Sequence, residues 1–253
     1  MKKTIVLAML FSLLTLTVFA TVIIREDFTS ANYGALPATL DAQWDAGVDV
    51  KVYTRAELGV PVEHPLGADG YVLGVGDLGE GGYNFCFSAT YTTDAYTDGV
   101  VEAWAYFDFE GISLERDYGV FIRATADPAG GVYPLRSAYW FFVTANSSWG
   151  TYVPTNGHAF ILKRPAGAWV QVGTEGTGTY TTGWHKLRLE VTGTSIKGYV
   201  DGVLEVSATD SGHTQGTAGM VFYDDNDVNK AGAFDNFYWD DNPLSGIEIW
   251  HMY

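Results

Sequence analysis

From residue 22 onward, hydrophobic and polar positions alternate in short runs separated by Gly, Asn, Asp and Thr. Residues 100–109 show it best: Val101, Ala103, Ala105 and Phe107 fall on one side, and Glu102, Trp104, Tyr106 and Asp108 on the other. Residues 185–191 repeat it, with Leu187, Leu189 and Val191 opposite Lys186, Arg188 and Glu190. A period of two places alternate side chains on opposite faces of a strand. Runs at 22–28, 70–75, 83–87, 118–125, 138–144, 158–163, 169–173, 218–223 and 232–239 read as further strands. Residues 195–200 meet Asp201-Gly202 and return over 203–207, a strong hairpin signal. With about a dozen strands and no amphipathic helix between them, the pattern predicts one all-β domain, a two-sheet antiparallel β-sandwich or a barrel.

The first twenty residues break this pattern. Lys2 and Lys3 precede an apolar run ending in Val18-Phe19-Ala20, which reads as a secretory signal peptide over residues 1–20. The mature protein is therefore expected to be exported, at the cell surface or secreted, without membrane insertion. Residues 21–243 form the domain, and 244–253, after Asp240-Asp241-Asn242-Pro243, read as a tail.

Composition agrees with a folded β protein: 15% aromatic, 17% charged and 30 Gly. Cys86 stands alone in an apolar run, so no internal disulfide forms and it reads as a small core residue. The net charge is −16, and loss of the two leader lysines makes it more negative. Such a field repels phosphate backbones and excludes nucleic acid as an expected partner, while neutral ligands and divalent cations stay compatible.

A succession of landmarks then appears. Gly183-Trp184-His185-Lys186-Leu187-Arg188-Leu189 leads to Tyr199-Val200-Asp201-Gly202, then Gly219-Met220-Val221-Phe222 and finally Phe234-Asp235-Asn236-Phe237. Upstream stand Arg25-Glu26-Asp27-Phe28 and Gly119-Val120-Phe121-Ile122-Arg123. In this order they resemble the laminin-G-like, concanavalin A-like jelly rolls of bacterial exported proteins, over roughly residues 22–240. The resemblance implies the sandwich rather than the barrel. It is weaker for function, because such domains include lectins, adhesion modules and sugar-cleaving enzymes. It also implies a structural Ca²⁺ where first and last strands meet, with Asp235 and Glu26 or Asp27 as oxygen donors; the plain alternative is a carboxylate bonded to backbone amides or to Arg25. The acidic run over 224–229 lacks the turn Gly and closing Glu of a calcium loop and reads as solvated.

For sugar binding, the candidates are Glu102, Trp104 and Tyr106 on one strand face, Arg123 on a second strand, Trp140 and Phe142 on a third, and Trp149 and Tyr152 in a loop. Flat rings cover the apolar face of a pyranose while charged groups bond its hydroxyls. Each aromatic has an equally simple reading as filler between the sheets, and Trp184 reads as a core or hairpin-closing ring. For glycoside hydrolysis, two carboxyls must stand ~5–5.5 Å or ~6.5–9.5 Å apart. The Glu-x-Asp-x-x-Glu strand of family 16 glycoside hydrolases, which share this sandwich, is absent. Glu102 and Asp108 lie roughly 20 Å apart along a strand, leaving Asp108 and Glu110, about 7 Å apart, as the weak pair. Three readings stay open: a lectin-like glycan-binding protein, a glycoside hydrolase of the same fold, and an adhesive surface protein that self-associates through the tail by strand addition.

Overall fold

A computed structural model describes residues 23–35, 37–38, 40–44, 50–61, 64–65, 70–75, 82–88, 97–109, 115–125, 137–145, 153–164, 169–224 and 232–241. The leader, the tail, Glu110, Trp149, Tyr152 and residues 225–229 lie outside these. So do the side chains of residues 23–25, 40–44, 82–88 (Cys86 among them) and 137.

Fifteen strands make up the described chain: β1 (Ile23–Glu26), β2 (Leu40–Trp44), β3 (Lys51–Thr54), β4 (Tyr71–Val75), β5 (Gly82–Ser88), β6 (Gly99–Phe107), β7 (Arg116–Thr125), β8 (Ser137–Ala145), β9 (Ala159–Lys163), β10 (Val170–Gln171), β11 (Gly183–Thr192), β12 (Ser195–Val200), β13 (Val203–Thr209), β14 (Thr217–Asp224) and β15 (Gly232–Asp240). One 3-10 turn, Ser30–Asn32, interrupts them. An eight-stranded sheet runs β13-β12-β11-β6-β15-β4-β3, with β1 also on β15, and a seven-stranded sheet runs β10-β9-β8-β7-β14-β5-β2. All named strand pairs are antiparallel. This is a two-sheet sandwich, one of the two architectures the alternation predicts and the one the resemblance implies.

The core forms where the inward half of each alternation meets. Val101, Ala103, Ala105 and Phe107 of β6, Leu187, Leu189 and Val191 of β11, and Tyr139, Phe141 and Val143 of β8 share one cluster, each fully or almost fully buried. Asp201 and Gly202 take φ of 53° and 81°, the doubly positive turn that an Asp-Gly hairpin permits. Two strands, β2 and β3, fall where the sequence pattern marks none; at five and four residues they are too short to show a period.

Two bulges hold side-chain-bearing residues in the left-handed region of backbone space. On β15, the register against β6 slips between Asp235 and Tyr238. There Asn236 takes φ of 49° and its N–H bonds Asp235 Oδ1 at 2.7 Å. Asn is among the few residues that tolerate this conformation. At the same point β15 changes partner, from β4 at residues 232–234 to β1 at 237–240. The other bulge interrupts β7 between Ile122 and Thr125, where Arg123 takes φ of 55°.

Candidate functional site

The outward half of the larger sheet carries the chemistry. β6 turns Glu102, Trp104 and Tyr106 away from the core, and β11 turns Trp184, Lys186, Arg188 and Glu190 the same way. Their register sets Trp184 opposite Tyr106, Lys186 opposite Trp104 and Arg188 opposite Glu102. On the other flank, β15 places Asp235 opposite Trp104 and Tyr238 opposite Glu102.

Glu102 is the unusual member, a carboxylate only 2% exposed. Burial of a lone charge is costly, so it requires partners. Arg188 Nη1 donates to Glu102 Oε1 at 2.5 Å and Nη2 donates to Glu190 Oε2 at 3.2 Å. The Arg188 guanidinium lies 5.8 Å from the Tyr199 ring centre, within cation–π range. Lys186 Nζ stands 3.7 Å from Glu102 Oε2. Lys186, Arg188, Tyr199 and Trp104 are all partly exposed, so this charged cluster meets solvent beside an indole ring.

One end of the face is walled. The connection from β3 to β4 folds back through Val60 N–H to Arg55 O and Arg55 N–H to Gly70 O. Val60 and Leu58 then pack with Val72, Ala233, Tyr106 and Trp184 as a small second core on the outer surface. His64 stands edge-on to both indoles, 5.0 Å from Trp104 and 4.9 Å from Trp184. Burial pushes the His64 imidazole down to about 4, so it is neutral at neutral pH; its Nδ1 is 3.6 Å from Asp235 Oδ2. The surface therefore has a braced aromatic end and an open charged end, an arrangement suited to a ligand with one apolar and one hydroxyl-bearing side.

Several residues expected at a sugar site lie elsewhere. Arg123 is 3% exposed, and its guanidinium bonds the carbonyls of Thr97, His213 and Gly193 and the carboxylate of Asp98. Four acceptors inside the protein occupy it, and its role is to tie the end of the sandwich. Trp140 and Phe142 are on the outward face of the other sheet, so they cannot share a site with Trp104. There they are sealed, 2% and 0% exposed, in a cluster with Phe121, Phe160, Leu162 and Val221, and Trp169 packs against it. Trp184 proves to belong to the outer cluster rather than the main core.

The hydrolytic pair fares no better on its described half. Asp108 Oδ2 is held by Arg116 Nη1 at 3.1 Å, and the same guanidinium bonds Asp224 Oδ2 through Nε at 2.9 Å. For calcium, β1 and β15 do meet as the resemblance implies. Yet Asp235 Oδ1 is engaged by the bulge, and Oδ2 faces an imidazole. Among the described residues, no group of three or more His, Cys, Asp or Glu could hold a metal ion. Both oxygens of Asp235, the donor expected from β15, thus have partners within the protein.

The sequence did mark Lys186, Arg188 and Glu190 as a polar strand face, but not that this face continues onto Glu102 and Trp104. That adjacency is a register between strands far apart in the chain. His64 carries no sequence signal at all.

No protein-family model matches the chain, and no curated protein matches it. Solved structures share its architecture. The exoplasmic/lumenal domain of VIP36 in its Ca²⁺-bound form superposes with a TM-score of 0.53 at 9% identity, over 86% of this chain and 88% of that one. The Ca²⁺/Man2-bound form of the same domain gives 0.50 at 8% identity, over 86% of each chain. A carbohydrate binding module, CBM66, from Bacillus subtilis gives 0.49 at 17% identity, over 79% and 93%. The chain has a lectin-like β-sandwich fold.

Proposed function

We propose that the protein is a non-catalytic, carbohydrate-binding β-sandwich that takes a polysaccharide or glycan on the outward face of its larger sheet. One observation carries the reading: a partly exposed indole, Trp104, lies beside the buried Glu102 and the solvent-reaching Lys186 and Arg188 on one sheet face. Rings cover sugar C–H faces, and charged side chains exchange hydrogen bonds with hydroxyls. The fold is compatible with this, since a VIP36 domain of like architecture was solved with Man2. Export by the leader belongs to the same proposal and would bring the surface to extracellular glycans. A structural Ca²⁺ is no part of this reading, which rests on the β6–β11 face alone.

The experiment is a glycan array with the purified protein, followed by Trp104→Ala. Binding to at least one polysaccharide or glycan is expected, weakened about tenfold or more by the substitution. A variant that folds and binds like wild type would sink the assignment of this face, and an empty array with folded protein would sink the function.

A further inference from the structure

We propose that the gap between Glu102 Oε2 and Lys186 Nζ is a hydroxyl-recognition subsite that selects an uncharged sugar over an acidic one. This rests on the glycan-binding reading above and adds the chemical class of the ligand. Glu102 is 2% exposed, and its two oxygens are unequal. Oε1 receives the Arg188 Nη1 hydrogen bond. Oε2 is buried and receives no hydrogen bond among the described residues. A buried carboxylate oxygen left without a donor is costly, and such orphan groups require an explanation.

The geometry supplies one. Lys186 Nζ is 3.7 Å from Oε2, too long for a direct hydrogen bond. A hydroxyl placed between them satisfies both groups: its O–H donates to Oε2 while its oxygen accepts from the ammonium. The Lys186 side chain is 28% exposed, so its flexible stem can swing aside to admit the ligand. Trp104, directly opposite Lys186 and two residues from Glu102 on the same strand face, is placed to receive the apolar side of the ring that bears this hydroxyl.

The same groups disfavour an anion. A carboxylate or sulfate has no proton to offer Oε2 and would set two negative charges against each other in a buried setting. Arg188 already donates one N–H to Glu102 and another to Glu190, so two carboxylates offset its charge before an acidic sugar arrives. The chain's net charge of −16 adds a repulsion of the same sign.

The test is native affinity electrophoresis of the full protein in gels containing laminarin, mannan or arabinan as neutral probes, and polygalacturonate or alginate as acidic ones. Polysaccharide-free gels correct for charge, and thermal melts confirm folding. At least one neutral polymer should retard the wild type and neither acidic one should. Glu102→Gln turns an amide N–H₂ toward the gap in place of an acceptor, and Lys186→Met removes the ammonium. Each should lower the association constant about tenfold. If both variants fold and stay within twofold of wild type while Trp104→Ala loses binding, the subsite is wrong and the surface assignment stands. Retardation by acidic polymers alone would likewise overturn the selectivity but not glycan binding. No retardation in any gel would refute the glycan reading itself. Should Glu102→Gln fail to fold, Lys186→Met, on a solvent-reaching side chain, decides alone.

Discussion

Replacing Arg123 by Ala separates a structural role from a ligand-binding one. Its guanidinium donates to Thr97 O at 2.5 Å, His213 O at 2.9 Å, Gly193 O at 2.7 Å and Asp98 Oδ1 at 3.1 Å. The Asp98 side chain is 37% exposed and keeps a bond from Gly193 N–H, so that ion pair contributes little. Thr97 and Gly193 are exposed and His213 partly so; water can rehydrate their carbonyls after truncation. What remains is the net worth of three hydrogen bonds from a charged donor plus the packing of a buried stem, about 3–5 kcal/mol. For a domain of this size the melting temperature should fall by about 10 °C. Arg123→Gly provides an internal control, because the position has φ of 55° and Gly occupies that region without a Cβ clash. Relief of the left-handed Cβ clash, about 1–2 kcal/mol, outweighs the extra backbone entropy that Gly loses, about 0.5–1 kcal/mol. This variant should therefore be the more stable of the two by about 0.5–1 kcal/mol. Guanidinium denaturation monitored by tryptophan fluorescence gives both numbers. An Ala variant with an unchanged midpoint and abolished sugar binding would refute the structural assignment and return Arg123 to the ligand site.

Two further outcomes concern the outer face. Asn236→Ala should cost about 1 kcal/mol at φ of 49°, whereas Asn236→Gly should stay within about 0.5 kcal/mol of wild type; urea midpoints that rank Ala above Gly would contradict the bulge. His64 titrates near 6.5 when unfolded and at about 4 when buried, so between these values the unfolded state binds more protons. Its contribution, about 3 kcal/mol, is present at pH 7 and is lost as the pH falls from 6.5 toward 4. The stability gap between wild type and His64→Gln should therefore narrow between pH 7 and about pH 4.5, and a gap that stays constant would show that His64 is not buried neutral.

Much of the fold was legible because it rests on local contrast. Strands β6 and β11 announce themselves through apolar positions two apart, and the β12–β13 hairpin through Asp201-Gly202 and the backbone freedom that its turn requires. The candidate site was half legible. Glu102, Trp104 and Tyr106 were found as one strand face, while Arg123 and Trp140 carried the same kind of signal and proved structural. An aromatic pointing away from the core looks alike in sequence whether solvent or a second cluster covers it. Trp140 is covered and Trp104 is in part open, a difference made by whatever packs over each sheet.

Alternation along the chain was enough to specify an all-β sandwich or barrel, because the choice of inward and outward side chains is written residue by residue along each strand. Which outward positions become neighbours was settled only when the strands paired. Arg188 and Glu102 lie 86 residues apart and meet only through the β6–β11 register, which also brings Lys186 beside Trp104. Pairing between distant strands is fixed by the closing of both sheets over one core, a property of the whole chain that no window of residues contains.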